Sequence, residues 1–210
     1  MRYRLIYILI LLFCGMFPVS GYGKGQDGAD SEAGYFEMSL EDNITTPVVG
    51  KKEKAAVISY QKKRAEELLS HGHSVETMRG GEVIVATIGS DNLFAPNDTV
   101  LCPGAENLLL PYSGFLKEPG LYKVLIVSHS DNTGSEDYTY RLTESRVNAV
   151  YDWFERSVAD MSALVPYAMG DSEPLGSNNS RLNRKKNRRL EIYLIPGERM
   201  IGMARKNSLH

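Results

Sequence analysis

The sequence predicts an α+β fold: a mixed sheet with helices packed on one face, in the order β-α-β-α-β-β, preceded by an N-terminal helix. The first observation behind this prediction is an apolar strand at residues 123–131 that leads through a turn into a long amphipathic helix. The second is the strict alternation over residues 189–195, which places Leu190, Ile192 and Leu194 on one face of a strand.

The elements before this strand are predicted from their periodicity and their turn residues. Residues 51–69 predict a helix that ends at a following glycine. Residues 75–78 and 82–88 flank an Arg-Gly-Gly turn and predict a hairpin. Residues 103–116 predict a short helix. The contacts expected from the first helix are Ala55, Ile58, Ala65, Leu68 and Leu69.

The second half of the chain continues the pattern. Ser135 is placed to cap the helix after the 123–131 strand. Residues 164–169 predict an edge strand, because Pro166 has no amide proton to donate. Residues 171–186 predict a long polar loop. The core-facing stripe expected on the long helix is Tyr138, Leu142, Arg146, Ala149, Val150, Trp153 and Ser157.

The first 23 residues predict a signal for export. Arg2 and Arg4 precede an apolar run over residues 5–17, and small residues follow it. The run is shorter than the roughly 20 residues that a membrane span needs. Cleavage is expected after Gly21 or Gly23.

A second way of processing the amino terminus stays open. Cys14 is placed where lipidation would anchor the mature chain, although Phe13 precedes it and lipoprotein signals favour a small residue there. After simple cleavage Cys102 is the one cysteine left. No disulfide within the chain is then possible, so we expect the fold to depend on its apolar core.

The composition divides the chain into segments. The stretch after the signal is rich in Gly, Asp, Glu and Ser and predicts a flexible arm. The predicted segments are a signal peptide at 1–23, a flexible arm at 24–50, a helical extension at 51–74, a folded domain at 75–196 and a C-terminal tail at 197–210.

The charge pattern does not favour a nucleic-acid partner. The chain carries a formal charge of −2, and such partners usually require a basic surface. Residues 181–189 contain six basic residues in nine. Behind an export signal, this run predicts a solvated loop or a loop that faces acidic peptide or phosphate groups.

Arg146 is the residue that points most directly to a ligand. It lies on the core-facing stripe of the long helix, and an unpaired buried charge is costly. Asp131, at the end of the preceding strand, is placed to reach it or to share a ligand with it. Two roles are therefore open: an ion pair that closes the core, or a clamp that holds the ammonium and carboxylate of a zwitterion.

Catalysis and metal binding are not expected. Ser128, His129, Ser130 and Asp131 include the residue types of a hydrolase triad. Adjacent strand residues point to opposite faces, so they cannot pass a proton among themselves. His129 and Asp131 lack a third metal ligand. We expect no enzyme activity, no cofactor and no metal.

Several motifs, in the right order, resemble the OmpA-like carboxyl-terminal domain shared by OmpA, Pal and MotB-type proteins. Its signature, GHTDxxGsxxYNxxLSxxRA, matches Ser128-His129-Ser130-Asp131-Asn132-Thr133-Gly134-Ser135, then Tyr138, then Leu142-Thr143-x-x-Arg146. Its NRRVEI ending is similar to Asn187-Arg188-Arg189-Leu190-Glu191-Ile192. The likeness covers residues 75–196 and implies an OmpA-like sandwich. It does not extend to the OmpA β-barrel, because residues 24–73 show no series of alternating strands.

The resemblance implies a binding site for peptidoglycan. Asp131 and Arg146 match the pair that holds the amino group and the carboxylate of meso-diaminopimelate in the stem peptide. Asn97 and Thr133 match loop positions that add polar contacts, and Arg188 matches an arginine that supports the site. The departures from the family pattern are Ser128 for Gly, Ser130 for Thr, Thr139 for Asn at a helix-side contact, and Val147 for Ala.

The expected function is non-covalent binding of peptidoglycan, which tethers the cell envelope to the wall. The expected location is the periplasm, in association with the wall, with an outer-membrane lipoprotein anchored through Cys14 as the variant. An envelope protein is a further expected partner, through the arm and helix at 24–74. The alternative function is a periplasmic protein–protein interaction module that has this fold and does not bind the wall.

Overall fold

The structure is a computed structural model that describes residues 34–158 and 160–209. The predicted signal peptide, Cys14 and the first part of the predicted arm lie outside these residues. Within the described ranges, no helix combines the length and the apolar character that a bilayer crossing requires.

The described chain alternates helices and strands. The helices are α1 Leu40–Thr45, α2 Lys54–Ser70, α3 Ala105–Ser113, α4 Glu136–Ser157, α5 Arg181–Asn187 and α6 Glu198–Arg205. The strands are β1 Ser74–Met78, β2 Val83–Gly89, β3 Tyr122–His129, β4 Leu164–Ala168 and β5 Arg189–Pro196.

The strands form one mixed sheet in the order β1-β2-β5-β3-β4. Only the β3–β4 pair among them is parallel. The predicted mixed α+β fold is confirmed, and β4, which contains Pro166, is an edge strand. The predicted order β-α-β-α-β-β describes β2 to β5 except for the short helix α5 between β4 and β5, and the hairpin strand β1 precedes it.

The longer helices pack on one face of the sheet, as predicted. Ile126 of β3 and Ile192 of β5 are fully buried beneath them, together with Val57 of α2, Leu109 of α3 and Phe154 of α4. This cluster is the main core, and it holds α4 against the strand that ends at Asp131.

The predicted contacts of α2 and α4 need correction. In α2, Ala55 and Leu69 are exposed, while Val57 and Gln61 are buried. Gln61 tolerates burial because its amide donates to the carbonyls of Glu82 and Leu194. In α4, Tyr138 and Ser157 are exposed, and the buried stripe consists of Thr139, Thr143, Arg146, Val147, Val150 and Phe154.

The stripe on α4 shifts because threonine hydroxyls can be buried at little cost. The Thr143 hydroxyl donates to the carbonyl of Thr139 at 3.0 Å and accepts from the amide of Gly170 at 3.0 Å. The sequence pattern treats threonine as polar, whereas a hydroxyl with internal partners packs like a small apolar group.

The second face of the sheet is covered by the segment before α2. Residues 34–50, here called the strap, were predicted as part of a flexible arm, but they fold as a short 3-10 turn and α1. Tyr35, Leu40 and Ile44 pack against a second apolar cluster on this face. The prediction was wrong because β3 and β5 are buried on both faces and the strap supplies the second cover.

Two other segments are also more ordered than predicted. The predicted loop at 171–186 contains most of α5, whose first turn is capped by the Ser180 hydroxyl. The predicted tail contains α6, which buries Met200, Ile201 and Ala204 in the main core. Both helices are short, so their periodicity is weak in the sequence.

Candidate ligand-binding site

The candidate site begins where β3 ends. Asp131 is the second residue after β3 and is 4% exposed. Its carboxylate accepts hydrogen bonds from the Thr133 amide at 2.8 Å and from Arg188 Nη1 at 2.5 Å. Burial opposes the charge, but the bonds from Thr133 and Arg188 outweigh it and lower the pKa of Asp131. Asp131 is therefore an anion at neutral pH.

The turn after β3 fixes the direction of this carboxylate. The Ser130 amide donates to the Gly170 carbonyl at 2.7 Å, which joins the strand end to the loop after β4. Gly134 has φ of 114°, and a Cβ there would lie 2.7 Å from the Tyr138 ring. The turn thus requires glycine. Ser135 then caps α4 by accepting from the Tyr138 amide, as predicted.

Arg188 holds Asp131 from the side of β5. Its Nε and Nη2 also donate to the two carboxylate oxygens of Asp91, at 3.0 and 2.9 Å. The hydrogen bond with Asp91, and secondly that with Asp131, raise the pKa of Arg188 above its usual range. The guanidinium is thus a fixed bridge between two carboxylates.

Asp91 was missing from the residues that the sequence singled out. It lies in the 3-10 turn Ser90–Asn92, directly after β2. Gly89 of β2 pairs with Arg189 of β5, which places the residues just outside these strands near each other. Knowledge of the β2–β5 pairing would have placed Asp91 near Arg188. The sequence pattern does not give this pairing, because it leaves the order of the strands open.

Arg146 is buried in α4 and is 4% exposed. Its Nε donates to the Asp98 carbonyl at 2.9 Å, its Nη2 donates to the Ala95 carbonyl at 3.3 Å, and the guanidinium lies 5.0 Å from the centre of the Phe94 ring. Within the described residues, no carboxylate lies within 4.0 Å of it. Burial lowers the pKa of Arg146, and the nearby charge of Asp91 opposes this.

The structure does not form the direct Asp131–Arg146 ion pair that would simply close the core. Arg188 takes the place beside Asp131, and backbone carbonyls of the loop after Phe94 take the place beside Arg146. Arg146 Nη1 has no hydrogen-bond acceptor among the described residues. The buried side-chain atoms without a partner in these residues are the two ring nitrogens of His129, so Arg146 Nη1 is accessible to solvent. Arg146 is thus a buried guanidinium that holds the loop after Phe94 and has one donor without a partner among the described residues.

Asn97 lies in the loop that receives Arg146. Its backbone has φ of 58°, in the left-handed region that asparagine tolerates better than most residues. Its Oδ1 accepts from the Tyr138 hydroxyl at 3.3 Å. The Asp98 carboxylate stiffens the same loop by accepting from the amides of Thr99 and Val100, at 2.7 and 3.0 Å.

The two threonines of the predicted site have different positions. Thr133 touches Asp131 through its amide. Thr139 is fully buried, and its hydroxyl donates to the Glu136 carbonyl and to Asp171 Oδ1, at 3.0 and 2.8 Å. Thr139 therefore joins α4 to the loop after β4, and its hydroxyl forms no hydrogen bond with Asp131, Arg146 or Arg188 in the described structure.

The residues of the apparent triad lie on opposite faces of the sheet. His129 is 1% exposed and lies 3.6 Å from Glu191, on the face that the strap covers. Ser128, its neighbour in β3, points to the other face. Across residues 34–158 and 160–209, no group of three or more His, Cys, Asp or Glu side chains is arranged to hold a metal.

The geometry defines a class of protein: an α+β domain with a fixed carboxylate and a buried, partly unpaired guanidinium at one end of its sheet. Residues 93–188 match the model of the OmpA family. This part of the chain is therefore an OmpA-family domain, and the resemblance seen in the sequence is confirmed.

Named relatives show the same likeness. The chain is 28% identical over 125 residues to "Probable lipoprotein YiaD" of Escherichia coli, covering 60% of this chain and 57% of that protein. It is 31% identical over 111 residues to "Outer-membrane lipoprotein YfiB" of Pseudomonas aeruginosa, covering 53% and 66%. It is 29% identical over 111 residues to "Peptidoglycan-binding protein ArfA" of Mycobacterium tuberculosis, covering 53% and 34%. The match thus spans under two thirds of the length of each relative.

Solved structures confirm the fold. A MotB-like protein from Desulfovibrio vulgaris superimposes with a TM-score of 0.60 at 22% identity, covering 69% of this chain and 98% of that one. The cell wall anchor of the type VI secretion system (T6SS) from Pseudomonas aeruginosa gives a TM-score of 0.54 at 26% identity, covering 65% and 96%.

Proposed function

We propose that this chain binds peptidoglycan non-covalently, through the diaminopimelate of the stem peptide, and so tethers the cell envelope to the wall. The observation that carries the proposal is Arg146, a buried guanidinium that has a free donor and no carboxylate partner in the described structure. Support comes from the relative named as peptidoglycan-binding and from the structural neighbour described as a cell wall anchor. The proposed role contains no catalytic step.

The chemistry of diaminopimelate fits the arrangement of charges. Its side chain ends in an ammonium and a carboxylate on the same carbon. Arg146 would take the carboxylate, and Asp131, kept ionised by Arg188, would take the ammonium. Each hydrogen bond to a charged group contributes about 1.5–3 kcal/mol. Asn97 and Thr133 would contribute polar contacts from their loops, while Thr139 would act by holding α4 in place.

The test compares two kinds of wall. Peptidoglycan that carries lysine at the stem position keeps the side-chain amine and lacks the neighbouring carboxylate. We expect retention of the protein to be about tenfold weaker or more on lysine-type walls, since one charge-assisted contact is lost. Amide chemical shifts should move around Asp131 and Arg146 on addition of a diaminopimelate peptide. Equal retention on both walls would exclude this assignment.

The proposal includes export, because wall peptide lies outside the cytoplasm. The relatives named as lipoproteins support an envelope location. Mass spectrometry of the mature amino terminus decides between the two ways of processing. A terminus near Tyr22 or Lys24 indicates simple cleavage, whereas an acylated Cys14 indicates a lipid anchor. After digestion of the wall, the first form would be released and the second would stay with membranes.

A protein partner is the second candidate function. Phe36 and Val48 of the strap and Leu69 of α2 are 49%, 77% and 51% exposed, and a bound protein would cover such apolar side chains. These positions lie in the segment where an envelope protein was expected to bind. A folded protein that is not retained on purified wall sacculi would favour this function over peptidoglycan binding.

A further inference from the structure

A local excess of positive charge follows the candidate site along the chain. Residues 174–190 contain no acidic residue, although the whole chain has a formal charge of −2. Within this stretch, Arg181, Lys185 and Lys186 are exposed on α5 and form the basic patch. The patch is therefore a local feature of this surface and does not reflect the charge of the whole protein.

The side chains of the basic patch form no ion pair with the acidic residues that the structure describes. No carboxylate of the described residues lies within 4.0 Å of Arg181, Lys185 or Lys186. Some exposed cations do find such partners: Arg141 pairs with Asp137 at 2.8 Å, and Arg199 pairs with Glu118 at 3.1 Å. The patch thus offers several charges that the protein itself leaves available.

The backbone that carries the basic patch is held in place. Ser180 caps α5, and Arg184 Nη1 donates to the Asn178 carbonyl at 2.8 Å. Asn187 is fully buried; its amide accepts from the Gly176 amide and donates to the Gly176 carbonyl and to Asn178 Oδ1, at 3.2, 2.9 and 2.7 Å. A fixed backbone lowers the entropy that these side chains lose when they bind an anion.

The basic patch adjoins the candidate site. The residue after α5 is Arg188, which contacts both Asp131 and Asp91. The hydrogen bond from Arg188 lowers the pKa of Asp91, and the positive charge of Lys185 adds to this effect. α5 therefore borders the candidate site on the side of Arg188.

We propose that the basic patch is a second subsite, which binds the α-carboxylate of the glutamate that precedes diaminopimelate in the stem peptide. This inference rests on the proposed function, because it concerns another part of the same ligand. Once diaminopimelate is bound, the glutamate carboxylate is present at high effective concentration, so weak contacts to exposed lysines add to the affinity. Salt should weaken this part of the binding, because the contacts are exposed.

The experiment measures Kd for the tripeptide alanyl-glutamyl-diaminopimelate with its glutamate α-carboxylate free or amidated. The variant Lys185→Gln/Lys186→Gln is compared with Lys51→Gln/Lys52→Gln, which removes an equally exposed pair of lysines beside α2. We expect amidation to weaken binding roughly two- to thirtyfold for the wild type and the control, since surface charge contacts are individually weak. We expect almost no effect of amidation on the α5 variant. Circular dichroism verifies that both variants fold.

The outcomes separate the subsite from the proposed function. If amidation weakens the wild type and the α5 variant equally, the second subsite is excluded while diaminopimelate binding stands. If the wild type binds neither tripeptide, both proposals fail. If amidation has equal effects and only the α5 variant loses binding to vesicles of anionic phospholipid, the patch binds lipid phosphates and the inference is overturned.

Discussion

Each end of β3 has a buried cation that lacks a carboxylate partner among the described residues, and the two ends differ in what covers this cation. Lys123, at the beginning of the strand, is 1% exposed; its Nζ donates to Asn43 Oδ1 at 3.0 Å and Thr46 Oγ1 at 3.2 Å. Arg146, in the site at the other end, donates to backbone carbonyls and keeps a free donor. Burial alone therefore does not identify a ligand site.

The strap is the reason for this difference. It covers Lys123 with neutral oxygen atoms and with the Tyr35 ring, whose centre lies 4.6 Å from Nζ. Asn43 is fully buried and also donates to the Tyr35 carbonyl and the Tyr167 hydroxyl, at 2.6 and 2.5 Å. The chain itself thus completes the surroundings of Lys123, whereas Arg146 keeps a donor that the proposed ligand would use.

The largest expected effect is on wall binding by Arg146, at the end of β3 that the strap leaves uncovered. Arg146→Ala should weaken retention on diaminopimelate-type sacculi by roughly ten- to two-hundredfold, because a charge-assisted contact is lost. Arg156→Ala, an exposed arginine on the same helix, is the matched control and should bind normally. Circular dichroism must accompany the assay, since Arg146 also holds the loop at Ala95 and Asp98. Normal retention of a folded Asp131→Ala/Arg146→Ala variant would contradict the site.

The next effect is on stability, at the Lys123 end of β3 that the strap covers. Asn43→Ala should lower the free energy of unfolding by about 1–3 kcal/mol, because it removes an acceptor from the buried Lys123 and two hydrogen bonds of the strap. Retention on sacculi should not change. Asn148→Ala, at an exposed position of α4, is the control. Urea unfolding gives the stabilities. A loss of wall binding by the folded Asn43 variant would show that the two ends are coupled.

A smaller effect is expected at the bridge between the two carboxylates. Asp91→Asn removes one partner of Arg188, so Arg188 should hold Asp131 more tightly and compete with the ligand ammonium. We expect about a threefold to tenfold loss of affinity for the diaminopimelate peptide, as for a single partly exposed ion pair. Asp152→Asn, exposed on α4, is the matched control. Tighter binding of the peptide by the Asp91 variant would contradict the idea that Arg188 competes with the ligand ammonium for Asp131.

The smallest effect is a pH dependence of the free energy of unfolding, which arises from Lys123. Burial, and secondly the charge of Arg79, lower the pKa of Lys123 to about 8. An unfolded lysine titrates near 10.4, so between these values the unfolded state binds more protons and the free energy of unfolding rises with pH. Relative to Lys123→Met, the wild type should gain about 1 kcal/mol between pH 7 and pH 9. If the difference in unfolding free energy between the two proteins does not change with pH, Lys123 is not desolvated.

The sequence by itself determined the features that depend on local spacing. The alternation of β5 after Arg189, the cap at Ser135 and the edge position implied by Pro166 are all present in the structure. The motif from Ser128 to Arg146 also identified the family. These features are encoded within short windows, where the period of a helix or strand decides which side chains share a face.

Only the tertiary structure decided which charged groups meet. Asp131 pairs with Arg188 and not with Arg146, and Asp91 joins them from the end of β2. The strap leaves no periodic pattern in the sequence, yet it covers one face of the sheet and encloses Lys123. Such partners come from segments far apart in the chain. They are brought together by strand order and by the burial of apolar surface, which local spacing does not specify.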